Sequence, residues 1–394
     1  MPAEIEIVTF STLFPSASQP NHGVFVENRL RHLVGSGRVG ARVVAPVPYF
    51  PWPSPRFGQL SAWARAPAAE TRHGIEVVHP RFPVIPKVGM NIAPWLLFWG
   101  SAGAVRRMRY ARDFDLIDAH YFYPDGVAAI MLGRLLGKPV VITARGTDVN
   151  LIPRHRIPRA LIRHAAYRAA GIITVSQALK DAIVALGIPE SDVTVLRNGV
   201  DLELFHPGGR EAARAWIGVS GTVLLSVGHL IERKGHEFAI GALTTLKECT
   251  LLIAGEGPER KSLEALAANL GVAERVRFFG AVAHADLQRA YVAADVLILA
   301  SSREGWPNVL LEAMACGTPV VATNAWGNPE VVSAPEAGRL MASRSAEGVA
   351  EAVADLLSHS PDRAATRAYA ERFSWDATSE GQRKLFERVL ARKA

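Results

Sequence analysis

The sequence predicts an α/β protein with two domains, each a parallel β-sheet covered by helices on both faces. Three observations support this fold class. Short apolar runs alternate with helical patterns from the N-terminus to about residue 200, the same alternation starts again at Thr222, and a polar stretch with proline and glycine, 201–220, separates the two series. Strands that alternate with helices form parallel sheets, because each helix returns the chain to the edge where the previous strand began.

The first series contains six apolar runs of strand length. They cover residues 5–10, 42–46, 116–120, 139–143, 171–175 and 193–196. Helices are expected over 24–34 and over 91–112. Ligands bind beyond the carboxyl ends of the strands in open parallel sheets. The residues that follow each strand are therefore the candidates for function.

The second series predicts strands at 223–227, 251–254, 276–279 and 295–299. The last strand leads into a stretch that reads SSREGWPNVLLEAMACGTPVVAT, residues 301–323. A helix should begin near Asn308, because Pro307 lacks an N–H group that would be unpaired in a first helical turn. An apolar face made by Val309, Ala313 and Cys316 would pack inward, with Glu312 off that face.

Composition excludes several classes of protein. The chain has 394 residues, enough for two domains, and 49% are hydrophobic. Cys249 and Cys316 are far apart and have no metal-ligand spacing, so we expect no disulfide framework and a reducing cytoplasm. The N-terminus enters a strand without a basic segment, so no signal peptide is expected. The longest apolar run, 92–105, is too short and interrupted to span a bilayer.

Positive charge is concentrated in the first half of the chain. Residues 1–205 contain 23 Lys and Arg against 15 Asp and Glu, a balance of +8, whereas the remainder contains 21 against 22, a balance of −1. A basic surface attracts nucleic acid, anionic lipid or a phosphorylated acceptor. No nucleic-acid motif favours the first of these, and we predict no nucleic-acid partner.

Two carboxylates stand out in the 301–323 stretch. Glu304 and Glu312 are separated by seven residues, and the predicted helix begins between them. A carboxylate accepts paired hydrogen bonds from neighbouring hydroxyl groups, and the free N–H groups of a first helical turn bind anions. This arrangement suits a hexose, a diphosphate and a ribose in a row. The alternative is a surface acid followed by an ordinary core helix.

This stretch resembles the signature of the family-four retaining glycosyltransferases: a Glu, seven residues, a second Glu, then Ala-Met-Ala-x-Gly-x-Pro-Val-Val. The resemblance implies the GT-B fold, in which two Rossmann-like domains face each other and the C-terminal one holds the donor. It also implies that Glu304 holds hydroxyls of the transferred sugar, that the amides after Gly305 hold the diphosphate, and that Glu312 holds the ribose. The implied domains are 1–205 for the acceptor and 206–372 for the donor, with a helix over 373–394 that returns to the first.

The resemblance extends to the loop after the strand at 223–227. The family has Gly-Arg-Leu followed by Lys-Gly; Lys234 matches, but His229 occupies the arginine position, where Arg233 could substitute if the loop turns it inward. These cations would neutralise a diphosphate leaving group. The donor-binding residues implied are Gly23, Gly228, Arg233, Lys234, Gly257, Val282, Glu304, Gly305, Trp306, Pro307, Asn308, Val309 and Glu312.

His120 ends a predicted strand where the family has an active-site histidine, so the resemblance places it against the transferred sugar. With Lys234 and Glu304 it completes the predicted catalytic set. The acceptor side would include Arg145, Gly146 and Asp148, although most relatives carry histidine at the position of Arg145. The Asp-Phe-Asp at 113–115 imitates a metal-binding motif of another glycosyltransferase fold, but its aspartates read as turn residues, and we predict no metal.

We therefore predict a retaining, metal-independent glycosyltransferase without a cofactor. It would transfer a sugar from a nucleoside diphosphate sugar to a hydroxyl of a saccharide or lipid-linked acceptor, in polysaccharide or glycolipid biosynthesis. An epimerase of the sugar nucleotide and a catalytically silent sugar-nucleotide-binding protein are the alternatives. Aromatic residues followed by arginines in 91–112 are typical of a helix at an anionic membrane surface. They equally fit a packed helix with a solvated end, so the expected location is cytoplasmic, with or without membrane contact.

Overall fold

The computed structural model describes residues 4–85 and 89–392. It divides into two units, one of Met1–Arg197 with Trp375–Ala394 and the other of Asn198–Ser374. The predicted boundaries were 205/206 and 372/373.

The strands of the first unit are β1 (Ile5–Phe10), β2 (Val39–Val44), β3 (Val47–Pro48), β4 (Ala69–Arg72), β5 (Ile75–Val78), β6 (Arg81–Phe82), β7 (Leu116–His120), β8 (Val140–Ala144), β9 (Gly171–Thr174) and β10 (Val193–Val195). The main sheet has the order β10-β9-β8-β7-β1-β2-β5-β4. Its neighbours are parallel except for β4 and β5, which form an antiparallel edge. The short strands β3 and β6 pair separately.

The strands of the second unit are β11 (Thr222–Val227), β12 (Cys249–Ala254), β13 (Val276–Gly280), β14 (Val296–Leu299), β15 (Val320–Thr323) and β16 (Gly338–Met341). They form a parallel sheet in the order β13-β12-β11-β14-β15-β16. Because β11 and β14 are neighbours, the loops that follow them emerge side by side.

The α-helices of the described residues are α1 (Val24–Gly35), α2 (Gln59–Arg65), α3 (Gly89–Ala111), α4 (Val127–Leu136), α5 (Thr147–Asn150), α6 (Arg156–Arg168), α7 (Gln177–Val184), α8 (Arg210–Ile217), α9 (His236–Ala242), α10 (Arg260–Asn269), α11 (Leu287–Ala293), α12 (Asn308–Ala315), α13 (Asn328–Val331), α14 (Ala346–Ser358), α15 (Arg363–Glu371) and α16 (Trp375–Ala391). Helix α16 packs against α1 in the first unit. The Trp375 and His32 rings stack there, with centroids 5.2 Å apart.

Each sheet buries an apolar core against its helices. In the first unit Ile7 and Val141 of the sheet join Leu30 of α1 and Phe386 of α16 in one buried cluster. Strands that are covered on both faces are buried at every position, as β7 and β8 are.

The predicted inward face of α12 was wrong in detail. Every residue from Leu310 to Ala315 is buried, Glu312 included, whereas Val309 is only half-buried. The reason is that α11, α15 and the sheet all pack against α12. A carboxylate in this helix must therefore find hydrogen-bond partners inside the protein.

Candidate functional site

A lysine and a glutamate meet beyond the ends of β11 and β14. Lys234 Nζ donates to Glu304 Oε1 at 2.6 Å. Arg233 Nη1 lies 3.6 Å from the second oxygen, Glu304 Oε2. The two loops meet because β11 and β14 are paired neighbours in a parallel sheet. Residues that are 70 positions apart in the chain thus form one charged cluster.

A close backbone approach holds the first loop against the second. Gly235 has φ 72°, and a Cβ atom there would lie 2.2 Å from the carbonyl oxygen of Ala300. Only glycine accommodates both the conformation and the contact. Arg344 also connects the two loops. Its Nε donates to the Ala300 oxygen and its Nη2 donates to the Glu232 oxygen, both at 2.8 Å. The ion pair is therefore positioned by the backbone.

The charge of Glu304 is set by its two cationic neighbours. Its side chain is 11% exposed. Burial would raise the pKa of Glu304, but the charges of Lys234 and Arg233 hold it below its ordinary value. The carboxylate is therefore ionised at neutral pH, and the cluster of two cations and one anion keeps a positive charge that can receive an anionic ligand.

Arg233, the predicted substitute for the missing arginine, points its side chain toward Glu304. Arg233 Nη1 donates to the backbone oxygen of Arg303 at 3.0 Å and faces Glu304. His229, at the family's arginine position, is exposed. The second cation of this cluster is thus supplied by the residue next to Lys234.

The chain turns into α12 directly after Glu304. Residues 305–307 are buried, and the helix begins at Asn308 as the proline predicted. Asn308 Oδ1 accepts a hydrogen bond from Asn198 Nδ2 at 3.2 Å. The Trp306 ring lies 6.0 Å from that of Phe373. Because α12 begins at Asn308, its first-turn N–H groups, including that of Val309, come shortly after Glu304 in the sequence.

Glu312 belongs to a different set of contacts. Its Oε1 lies 3.0 Å from His284 Nε2, and its Oε2 accepts from the Tyr291 hydroxyl at 2.8 Å. The Phe205 ring packs edge-on against both aromatic partners, at 5.0 and 5.8 Å. Burial and the Glu312 carboxylate raise the pKa of Tyr291 well above its ordinary value, so the phenol keeps its proton and donates. These contacts fix the carboxylate in one orientation.

The His284–Glu312 pair gives a pH-dependent prediction. Burial lowers the pKa of His284. The hydrogen bond and the charge of Glu312, together with the charge of Asp201, raise this pKa by more than burial lowers it, so the net shift is upward. A raised histidine pKa stabilises the fold below the unfolded value, about 6.5, and the stabilisation is lost as pH rises through the folded value. The difference in unfolding free energy between the wild type and His284→Gln should therefore be largest near about pH 6 and shrink above about pH 7.

Denaturant unfolding at several pH values measures this difference. His359→Gln is the matched control, because His359 is a largely exposed histidine beside Asp355 on the surface. A difference for His284→Gln that is independent of pH, or that grows with pH, would contradict the prediction.

Two predicted glycines allow close contacts near Lys234, Gly257 between the loops after β12 and β11 and Gly228 within the loop after β11. A Cβ atom on Gly257 would lie 2.3 Å from the Leu230 oxygen, and one on Gly228 would lie 3.3 Å from Cε of Lys234. Glycine therefore leaves room for the lysine side chain to cross the loop. Val282 lies half-buried in the loop after β13, the third strand at this end of the sheet.

In the first unit the predicted acceptor residues surround the end of β8. Asp148 accepts hydrogen bonds from the N–H groups of Phe122 at 2.7 Å and Gly146 at 2.7 Å. Its carboxylate thus closes the loop between β8 and α5. Arg145 Nη2 lies 2.6 Å from Nδ1 of His120, so these two predicted residues are in contact.

Gly23 begins α1 and is tightly enclosed. It has φ 72°, and a Cβ atom there would lie 2.3 Å from the backbone carbon of Leu13. The position requires glycine for local packing, whatever ligand it meets.

Sequence reasoning missed several residues that hold the predicted ones in place. They are His284 and Tyr291 at Glu312, and Asp118, Arg29 and Gln382 near His120. The only signal in the sequence was the polar character of Arg29 and Gln382 inside otherwise amphipathic helices, which does not identify their partners.

The described residues lack both a three-residue metal site and a membrane-spanning helix. Within 4–85 and 89–392, no group of three or more His, Cys, Asp and Glu has the arrangement of a metal site. In the same part of the chain, no helix combines the length and apolarity that crossing a bilayer requires.

Comparison with known proteins gives two family matches. The family described as "Glycosyl transferases group 1" matches residues 217–373, and "Glycosyltransferase Family 4" matches residues 61–204. The chain is 30% identical over 369 residues to D-inositol 3-phosphate glycosyltransferase of Saccharomonospora viridis, covering 85% of this chain and 84% of that protein. It is 26% identical over 363 residues to the putative teichuronic acid biosynthesis glycosyltransferase TuaC of Bacillus subtilis, covering 89% and 88%.

A solved structure shares the fold. The Anabaena protein Alr3699/HepE, crystallised in complex with UDP-glucose, has a TM-score of 0.74 and 20% identity, with 98% of this chain and 99% of that chain covered. The predicted α/β architecture of the GT-B class is therefore confirmed.

Proposed function

The chain belongs to glycosyltransferase family 4, and from that premise we propose that it moves a hexose-type unit from a nucleoside diphosphate sugar to a hydroxyl of a saccharide or lipid-linked acceptor. The ion pair between Lys234 and Glu304, directly before α12, carries this proposal. It sets a cation suited to a departing diphosphate beside a carboxylate suited to sugar hydroxyls.

The proposed transfer retains the anomeric configuration and uses no metal. The bond from the anomeric carbon to the diphosphate oxygen breaks while the acceptor oxygen bonds to the same face of the sugar. The acceptor proton passes to the leaving phosphate oxygen, so no enzyme nucleophile is required. Lys234, Arg233 and the first amides of α12 stabilise the leaving charge, because fixed donors need no reorganisation.

The remaining predicted residues have roles in binding. We assign Glu304 to hydroxyls of the transferred sugar and Glu312 to the ribose, with His120 in contact with the sugar. The backbone near Val282 would face the base. The acceptor would lie near Gly146.

Product analysis tests the reaction. Nuclear magnetic resonance of the glycosidic product should show the same anomeric configuration as the donor, and turnover should persist in excess chelator. An inverted product would refute retention, and loss of turnover in chelator would refute metal independence. A changed sugar nucleotide formed without any acceptor would favour the epimerase instead.

Donor identity is accessible by thermal shift. A ligand that binds the folded state raises the melting temperature by mass action. UDP-glucose is the first probe, because HepE was crystallised with it, followed by guanosine and adenosine diphosphate sugars.

We propose a peripheral contact with an anionic membrane through one face of α3. Ile92, Trp95, Trp99, Arg106 and Tyr110 are spaced three, four or seven residues apart, so they share one face of the helix. All five are exposed, Trp99 to 70% and Tyr110 to 89%. Aromatic rings followed by arginine suit the boundary between acyl chains and phosphates.

A second aromatic segment lies beside this face. Tyr49 and Trp52 are 60% and 55% exposed. The N–H of Tyr49 donates to the Phe82 oxygen at 2.7 Å, and Gly100 of α3 packs on Phe82. The exposed rings therefore extend beyond the helix, as a surface that rests on a membrane requires.

Liposome flotation tests this contact. With vesicles that contain anionic lipid, replacing Trp95 and Trp99 together by serine should weaken binding more than about tenfold, because two large apolar side chains lose their burial. Trp216→Ser is the control, since Trp216 is 62% exposed in the other unit. Equal flotation of the double variant and the wild type would remove the membrane proposal.

A further inference from the structure

A buried network of polar groups surrounds His120 at the end of β7. His120 is 1% exposed. Its Nε2 lies 3.1 Å from Oδ2 of Asp118, which is two residues earlier and therefore on the same face of the strand. Its Nδ1 lies 2.6 Å from Nη2 of Arg145, which follows the neighbouring strand β8. Both ring nitrogens are thus engaged inside the first unit.

The chemistry of the partners determines where the imidazole proton lies. A guanidinium group has only N–H donors, so Arg145 donates and Nδ1 of His120 must accept. The ring proton is therefore on Nε2 and is donated to the Asp118 carboxylate. A second proton on Nδ1 would meet a cationic donor at hydrogen-bond distance, which disfavours the charged ring.

Burial and nearby charges act on the ring together. Burial lowers the pKa of His120 most; Asp118 opposes this, but the Arg145 and Arg29 cations add to the lowering, and the pKa falls to about 4. The charged groups that face the ring are thus one carboxylate on its own strand and two cations from the loop after β8 and from α1. Burial and the charge of Arg29 lower the pKa of Arg145 itself well below its ordinary value, and the charges of Asp118 and of Asp148 on α5 oppose this.

Helices α1 and α16 hold the carboxylate in place. Gln382 of α16 donates to the same Asp118 Oδ2 at 3.0 Å. Its own Oε1 accepts from Arg29 Nε at 2.7 Å, and Arg29 Nη1 donates to the Leu196 oxygen at 3.1 Å. The orientation of Asp118 is therefore fixed by two helices as well as by its strand.

Arg145 is held as firmly on the other side of the ring. It is 9% exposed. Its guanidinium carbon lies 5.4 Å from the centre of the Phe25 ring, and its backbone N–H donates to Asp148. The cation therefore stays against His120.

We propose that Arg145 and Asp118 are positioning residues that hold His120 as a neutral ring protonated on Nε2, so that it neither donates nor accepts a proton during transfer. This inference rests on the proposed function, in which His120 contacts the transferred sugar. The acceptor proton then goes to the leaving phosphate. His120 contributes only the shape of its ring and its fixed dipole at the sugar.

The protonation state can be measured without activity. In protein labelled with ¹⁵N-histidine, the signals missing from His120→Gln identify the ring of His120. They should show a protonated Nε2 and a bare Nδ1, with no titration between about pH 5.5 and 8. A proton on Nδ1, or titration near about pH 6.5, would overturn the proposal.

Variants at Arg145 separate positioning from packing. Arg145→Lys keeps a donor and should keep the wild-type ring signals. Arg145→Ala removes one of the two cations that act on the ring and leaves Asp118 and Arg29, so the ring should titrate at higher pH and kcat/KM should gain an acid limb. Arg134→Ala, an exposed arginine on α4, is the control and should change neither. Wild-type ring signals in Arg145→Ala would refute the proposal.

Failure of the two proposals would look different. If the ring signals are as expected but His120→Gln transfers sugar at the wild-type rate, the positioning stands and the assigned sugar contact fails. If Arg145→Ala does not fold, the wild-type spectrum and Arg145→Lys still decide the protonation state.

Discussion

Lys234→Ala and Glu304→Ala should each lower turnover by about 10²–10³-fold, the loss seen when one charge-stabilising contact is removed from an active site. The structure gives a reason for both. Lys234 Nζ is the cation nearest to Glu304, at 2.6 Å, and Arg233 is farther away, at 3.6 Å. In the proposed transfer, the departing diphosphate would lose the charge of the lysine in the first variant, and the sugar would lose an oriented acceptor in the second.

Single-turnover and steady-state kinetics with a saturating donor measure these losses. Lys261→Ala is the matched control, because Lys261 is exposed on α10 of the same unit, and its turnover should stay at the wild-type level. Wild-type turnover in both Lys234→Ala and Glu304→Ala would defeat the assignment of the site. A rise in KM alone, with kcat unchanged, would assign them to ground-state binding.

Arg29→Ala should lower the free energy of unfolding by about 3–5 kcal/mol, the cost of removing one partner from a buried charged network. Arg29 is 1% exposed, and burial lowers its pKa to about 10 despite the opposing charge of Asp118. Its loss removes the Nε donor from Gln382 Oε1 and the Nη1 donor from the Leu196 oxygen. The alanine also leaves a cavity between α1 and α16.

Denaturant unfolding of the full chain measures this change. Arg159→Ala on α6 is the control, because Arg159 is exposed, and its effect should stay within about 0.5 kcal/mol. A loss of less than about 1 kcal/mol for Arg29→Ala would show that the network around Asp118 does not depend on this arginine.

Strands at the centre of each sheet were predictable from local sequence. The mainly apolar runs at 5–10 and 116–120 are β1 and β7 with the same bounds, because strands that are buried on both faces are rich in apolar residues. The strand predicted at 42–46 begins too far along the chain. Strand β2 covers Val39–Val44, and the chain leaves the sheet before Pro46, which has no N–H to donate to a neighbour.

The edge of the first sheet was not predictable in this way. Strand β4 is made of Ala69–Arg72, none of them buried, and it pairs antiparallel with β5. Such a strand has no apolar run of its own, and its existence depends on the strand beside it. The same holds for the short pair β3 and β6, of which β6 contacts α3.

The candidate site was also predictable only in part from local sequence. Spacing within one segment was enough to single out Glu304 and Glu312, and a strand end was enough to single out Lys234. The inward direction of Arg233, and the His284 and Tyr291 contacts to Glu312, depend on loops and helices that are distant in the chain.

The amino-acid pattern alone determined the α/β class, the two series of strands, the start of α12 and the two carboxylates, one before this helix and one within it, because each depends on neighbours within a few turns of chain. The tertiary structure decided which polar and charged groups contact one another. Arg29 and Gln382 are 353 positions apart and still form one hydrogen bond, and Arg145 reaches His120 only because β7 and β8 are adjacent in the sheet. A proton's location on His120 depends on that pairing, since Coulomb forces act over ångströms of space whatever the separation in sequence.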